Sequence, residues 1–171
     1  MTEHRSRLRI NKSIEHGNKR HLVICGSMSF YSYMRQVQHY LDSFGVPCLL
    51  PDPDDDRILS MANEQSDAFK RKVSLAHMKR IQNIWTYGIL VTNFDKNGIY
   101  DYIGPSTFAE IAIAATSGKA VFLLNGIPSM YEHELMPWRV IPLHGHLDPV
   151  IKQYELQCRS SHQQLAIPLH L

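Results

Sequence analysis

Tyr102–Asn125, YIGPSTFAEIAIAATSGKAVFLLN, decides the fold. A Gly-Pro break at Gly104–Pro105 opens a helix expected over about Ser106 to Ser117, Gly118 stops it, and Ala120–Leu124 is a short apolar strand. Proline suits the first helical turn, where its missing N–H has no intrahelical partner. Glycine suits the position just past the end, where positive φ is needed. A helix that runs through a one-glycine stop into a buried strand is the second half of a βαβ unit. This helix carries one carboxylate, Glu110. Thr107-Phe108-Ala109-Glu110 has the spacing of a capping box, with Thr107 at the N-cap and Glu110 at the third helical position. On that reading Glu110 lies in the first turn, where the helix dipole keeps a carboxylate ionised, as a nucleophile must be.

The same alternation continues on both sides. His21–Met28 (HLVICGSM) is a buried strand ending in Gly26-Ser27. In Phe30–Phe44, Tyr33, Met34, Val37, Tyr40, Leu41 and Phe44 recur at three- and four-residue spacings, which predicts an amphipathic helix closed by Gly45. Val46–Leu50 is a second strand, and PDPDDD (Pro51 to Asp56) is a solvated loop, since prolines and mutually repelling carboxylates suit neither a helix interior nor a central strand. Leu59 to Trp85 is helical, with Phe69, Val73, Ala76, Ile81 and Ile84 on one side and His77 on or beside that stripe. Gly88–Thr92 (GILVT) is a third strand, followed by a polar loop from Asn93. Beyond Asn125, a short helix over Tyr131–Trp138, a fifth strand over Arg139–Leu143 and a helix over Pro149–Gln157 complete the pattern.

Strands alternating with helices imply a doubly wound α/β fold: a parallel sheet of about five strands with helices on both faces. Ligands in such folds sit beyond the C-terminal strand ends, near the point where strand order reverses. Three polar clusters fall at that edge: Gly26-Ser27-Met28, Asn93 with its loop, and Asn125-Gly126. That topology predicts a small-molecule pocket.

The chain of 171 residues suits one domain, here 21–157, between a flexible basic arm (1–20) and a tail (158–171). A net charge of +2 gives no electrostatic reason to expect nucleic acid. No apolar run spans a bilayer, so no membrane association is expected. Cys25, Cys48 and Cys158 form no CxxC pair and no zinc spacing, which predicts a reduced, cytoplasmic protein. His144, His146 and Asp148 lack a further ligand, so neither metal nor cofactor is expected. Gly26-Ser27 lacks the remaining glycines of a dinucleotide fingerprint, and there is no Walker lysine.

The segments ICGSM, HMKRI, ILVTN, DKNGIYDYIGPSTFAEIAIA, GKAVFLLN and IP resemble the nucleoside 2-deoxyribosyltransferase-like family, in its uncharacterised branch with a YIG-x-x-T-x-x-E motif. The resemblance runs from about His21 to Val150 and is densest between Ile89 and Pro128. It implies a flavodoxin-like fold, no cofactor, a homo-oligomer, and cleavage or transfer of the N-glycosidic bond of a 2′-deoxynucleoside or its 5′-monophosphate. Glu110 matches the glutamate that attacks the anomeric carbon and forms a glycosyl-enzyme ester. Gly104 and Thr107 match the turn that presents it, and Gly26, Ser27 and Met28 the loop that lines the pocket. Asn93 and Asn125 are candidates for hydrogen bonds to sugar or base. The aspartate that relatives carry in the helix before the third strand is missing; that helix offers His77, Lys79 and Arg80, and His77 can replace the acid. Tyr87-Gly88 and His144-Gly145-His146-Leu147 also depart from the family pattern. The alternative implied by the missing acid is a nucleotide- or nucleoside-binding sensor module that retains the pocket without the chemistry.

Overall fold

In the computed structural model of the protein, residues 19–52 and 63–163 are described. The basic arm, the acidic tract after Asp52 and the tail beyond 163 lie outside them. Five strands, β1 (His21–Cys25), β2 (Cys48–Leu49), β3 (Thr86–Val91), β4 (Ala120–Leu123) and β5 (Ile141–Pro142), form an all-parallel sheet in the order β2-β1-β3-β4-β5. The connections carry helices α1 (Tyr31–Ser43), α2 (Asn63–Gln82), α3 (Pro105–Thr116) and α4 (Glu132–Leu135), and α5 (Asp148–Gln163) follows β5. This is the flavodoxin-like doubly wound arrangement.

Helices cover both faces because the central strands bury both. Successive side chains of a strand point to opposite sides, so β1 divides its residues between two cores. Leu22 and Ile24 pack with Leu90 and Phe122 against Met34 and Leu41 of α1 and Val150 of α5. Val23 and Cys25 pack with Ile89, Val91 and Leu123 against Ile81 of α2, Ile111 and Ala114 of α3 and Leu135 of α4. Gly88 lets β4 come close: a Cβ there would stand 2.8 Å from the Ala120 carbonyl oxygen.

Two expected stripes are narrower than their spacing suggests. On α1, Met34 and Leu41 are buried, whereas Tyr33, Tyr40 and the C-cap Phe44 are about half exposed. On α2 the inward line is Phe69, Val73, His77 and Ile81, four residues apart, with His77 and Ile81 buried. Ala76 faces outward, and Ile84, past the helix end, is 78% exposed. A row of i, i+4 residues is one packing ridge, and a helix against a single neighbouring surface needs no more. Among the described residues no helix is long and apolar enough to cross a membrane.

Candidate functional site

The chain passes from β1 outward to β2 and returns to β3 on the other side of β1, so the strand order reverses between β1 and β3. A cavity of about 320 Å³ lies at this switch point, and Gly26, Met28, Val73, His77, Ser106 and Glu110 contribute to its wall. That volume is at the low end of the roughly 300–1,000 Å³ of small-molecule sites. Three elements bring a cluster of titratable side chains together beside the cavity. Cys25 ends β1, His77 comes from the inward ridge of α2, and Glu110 comes from α3. Gly26 turns the chain out of β1 at φ +146°, and a Cβ there would meet the Thr92 hydroxyl at 2.5 Å, so the turn requires glycine.

The capping box is not formed. Gly104 is the N-cap, Pro105 opens the helix, no side chain caps it, and Glu110 lies beyond the first turn. The helix-dipole field falls off within that turn, so burial decides the acid's state. Desolvation raises Glu110 from 4.5 to about 7, against a smaller lowering by a hydrogen bond with Cys25. Desolvation likewise lowers His77 to about 4, helped by the nearby Arg80 guanidinium. Burial pushes the Cys25 thiol well above its ordinary value. His77 Nε2 stands 3.8 Å from Glu110 Oε1 and 3.5 Å from Cys25 Sγ. Below neutrality the pair therefore holds its single proton on Glu110 rather than as an ion pair. His77 Nδ1 is buried and has no partner among the described residues.

Of the residues singled out from the sequence, Gly26, Met28, His77 and Glu110 meet around this cavity. Gly104 contributes the N-cap, where its carbonyl accepts the Phe108 N–H, and Thr107 is buried in the first turn of α3. Ser27 bonds elsewhere, to the Ser29 hydroxyl at 2.9 Å and the Lys96 ammonium at 2.8 Å. The asparagines stand apart from Glu110. Asn125 lines a second, more open hollow with Asp101, Gly126 and His144. Asn93 is fully buried, donating to the Gly126 carbonyl at 2.8 Å and accepting from the Asn125 N–H at 3.0 Å. It joins the loop after β3 to the loop after β4. Asn93→Ala leaves both backbone groups without their partner; because Gly126 and Asn125 are only half-buried, water can replace part of the loss, and stability is expected to fall by about 2 kcal/mol. Urea denaturation of the two proteins measures it.

Three features of the site are not evident from the sequence pattern. Cys25, apolar in the strand pattern, touches His77 of the buried His77–Glu110 pair because β1 ends there. Asn97 and Gly98 both take positive φ between the bridged Lys96 and Ile99, a type I′ hairpin turn that the Asn-Gly dipeptide signals. It presents Lys96 to Ser27 and over the Tyr102 ring, 5.2 Å from its centroid. Asp52 also enters the cavity wall, held by Arg80 at 3.2 Å, so the pocket has a second carboxylate from outside α2. No protein-family model matches the chain, and no curated protein or solved structure matches it.

Proposed function

We propose that the protein cleaves or transfers the N-glycosidic bond of a 2′-deoxynucleoside or its 5′-monophosphate through a covalent intermediate on Glu110. The observation that carries this reading is a largely buried carboxyl group, 3.8 Å from a buried imidazole, in the wall of a cavity of about 320 Å³ at the strand-order switch. The resemblance of the YIG-x-x-T-x-x-E segment supplies the reaction class.

The pair holds one proton to move. Transfer from Glu110 to His77 makes the carboxylate that attacks C1′ and the imidazolium that donates to the departing base. The C1′–N electrons leave on the base, which takes the His77 proton; an ester remains on Glu110 and the imidazole is neutral again. Water or the N–H of a second base then attacks C1′; His77 takes the proton of the attacking group, the C1′–O bond to Glu110 breaks, and return of that proton to the released carboxylate restores the one-proton pair. Burial favours the uncharged arrangement at rest, and the positive charge developing on the sugar favours the ionised carboxylate in the transition state.

The one-proton pair dominates between about pH 4 and about pH 7. Hence kcat/KM for base release should be bell-shaped, with limbs near those values. A profile that rises through pH 7 to a plateau would remove His77 from the reaction and leave Glu110 acting alone. The direct test incubates the protein with deoxynucleosides, their monophosphates and a slow 2-fluoro analogue, and measures free base and the mass of the Glu110 peptide. The expected result is base release and an adduct on that peptide.

A second reading, a nucleoside or nucleotide sensor, is favoured by the lowering of His77 to about 4, which leaves it uncharged at neutral pH. Ligand-induced stabilisation without base release selects it. The homo-oligomer implied by the family resemblance belongs to the same proposal, and the half-exposed Tyr40 and Phe44 at the C-terminal end of α1 offer apolar surface for it.

A further inference from the structure

Cys25, His77 and Glu110 belong to three different elements, yet each offers one ligand atom and the three atoms lie within 4.8 Å of one another. Their sequence separations, 52 residues between Cys25 and His77 and 33 between His77 and Glu110, resemble no metal motif, so the set is visible only in the fold. Buried polar groups ordinarily have defined partners, and a bare thiol–imidazole–carboxyl contact satisfies these poorly. Cys25 Sγ and Glu110 Oε1 both stand at Nε2 of the His77 ring, the nitrogen left with a lone pair when the ring proton is on Nδ1.

The geometry points to a binding site for a thiophilic divalent cation, Zn2+, held by Cys25 Sγ, His77 Nε2 and a Glu110 carboxylate oxygen, with the fourth position facing the cavity. Tetrahedral zinc, with Zn–S near 2.3 Å and Zn–N and Zn–O near 2.0–2.1 Å, places sulfur and nitrogen about 3.5 Å apart and nitrogen and oxygen about 3.4 Å apart. The corresponding separations here are 3.5 Å and 3.8 Å, and all three ligand atoms lie within 4.8 Å of one another, so the site closes by a shift of the Glu110 carboxylate toward Cys25 and His77. Charge also matches. A thiolate, a carboxylate and a neutral imidazole around Zn2+ sum to zero, the balance that a buried site favours. The metal replaces the thiol proton of Cys25, and the carboxyl proton of Glu110 where one is present. Both protons leave to solvent through the cavity, and no electron is exchanged. Three protein ligands and one open position is the pattern of zinc sites that retain a water or small ligand.

The site goes beyond the proposed glycosidic chemistry and has a consequence for it. A cation on Glu110 and His77 occupies the lone pairs of both nucleophile and proton donor, so zinc-loaded protein is silent and metal-free protein is competent.

Metal-stripped full-length protein titrated with Co2+ tests the site. The expected result is a thiolate-to-cobalt charge-transfer band with tetrahedral d–d bands, saturating at one equivalent and displaced by Zn2+. The band should survive Cys158→Ser, disappear in both Cys25→Ser and Cys25→Ala, and need at least tenfold more Co2+ in His77→Ala. Two substitutions at Cys25 guard against one that fails to fold, with melting curves showing which are folded. Absence of a thiolate band, or a band that persists in folded Cys25→Ser, overturns the site. In a separate arm, one equivalent of Zn2+ should suppress base release and a chelator restore it; full turnover with zinc bound overturns the silencing. A protein that releases no base from any nucleoside refutes the glycosidic reading, while the cobalt spectrum still decides the metal site.

Discussion

Glu110→Gln is expected to melt at a higher temperature than the unsubstituted protein at pH 8 and at the same temperature at pH 4.5. The folded pKa, about 7, lies above the ordinary 4.5. The contribution of the protonated carboxyl is therefore fully present below pH 4.5 and is lost as pH rises to 7. Above 7 the folded protein carries a buried charge that the unfolded chain exposes to water. The difference amounts to about 3 kcal/mol, an upper bound for a group that is not completely buried. For a domain of this size that is roughly 6–12 °C in Tm. Glutamine keeps the shape and the acceptor oxygen and carries no charge at any pH. His77, whose folded pKa is lowered to about 4, acts in the opposite sense: its contribution is present above 6.5 and lost as pH falls through 4. Both proteins share it, so it cancels from their difference. Calorimetry at the two pH values measures the effect; equal offsets at both would mean that the carboxyl group is solvated in the folded state.

The same substitution should abolish base release. Removing a nucleophile eliminates an interaction made only on the way to the transition state, so kcat and kcat/KM fall together by at least about 10³-fold while substrate affinity is retained. His77→Gln should lose about 10²–10⁴-fold, the usual contribution of one positioned proton donor. Ligand-induced thermal shifts separate binding from turnover. A gain in stability with a loss of turnover at one residue is the pattern of a group kept for chemistry at the expense of packing. A Glu110→Gln protein that still releases base at an undiminished rate would refute the covalent intermediate.

The sheet was legible in the sequence because buried parallel strands read as continuous apolar runs, and HLVIC, GILV and AVFL are too short for helices and are flanked by turn residues. The strand-end location of Gly26, Asn93 and Asn125 follows from that topology alone, whereas that of Glu110, inside a helix, does not. Misreadings arose where one sequence pattern serves two structures. Thr107-x-x-Glu110 matches a capping box, but Pro105, preset for a first turn, starts the helix earlier and places the acid out of reach of its dipole. The two asparagines are at the expected edge and are consumed in joining loops rather than turned toward Glu110, a choice fixed by hydrogen-bond partners remote in the chain. Cys25 was hidden for the opposite reason: in an apolar run a thiol counts as packing, and only the fold shows what it touches.

The central pairing has a kinetic corollary. His21 of β1 aligns with Thr86 of β3, 65 residues later, so the middle of the sheet cannot close until that length of chain has been gathered in. Contacts this distant in sequence slow the search, since loop-closure entropy must be surrendered before any pairing energy is recovered. During synthesis the edge of β1 destined for β3 therefore emerges well before its neighbour, and the corner beside Gly26 stays incomplete until the helix that carries Glu110 has followed.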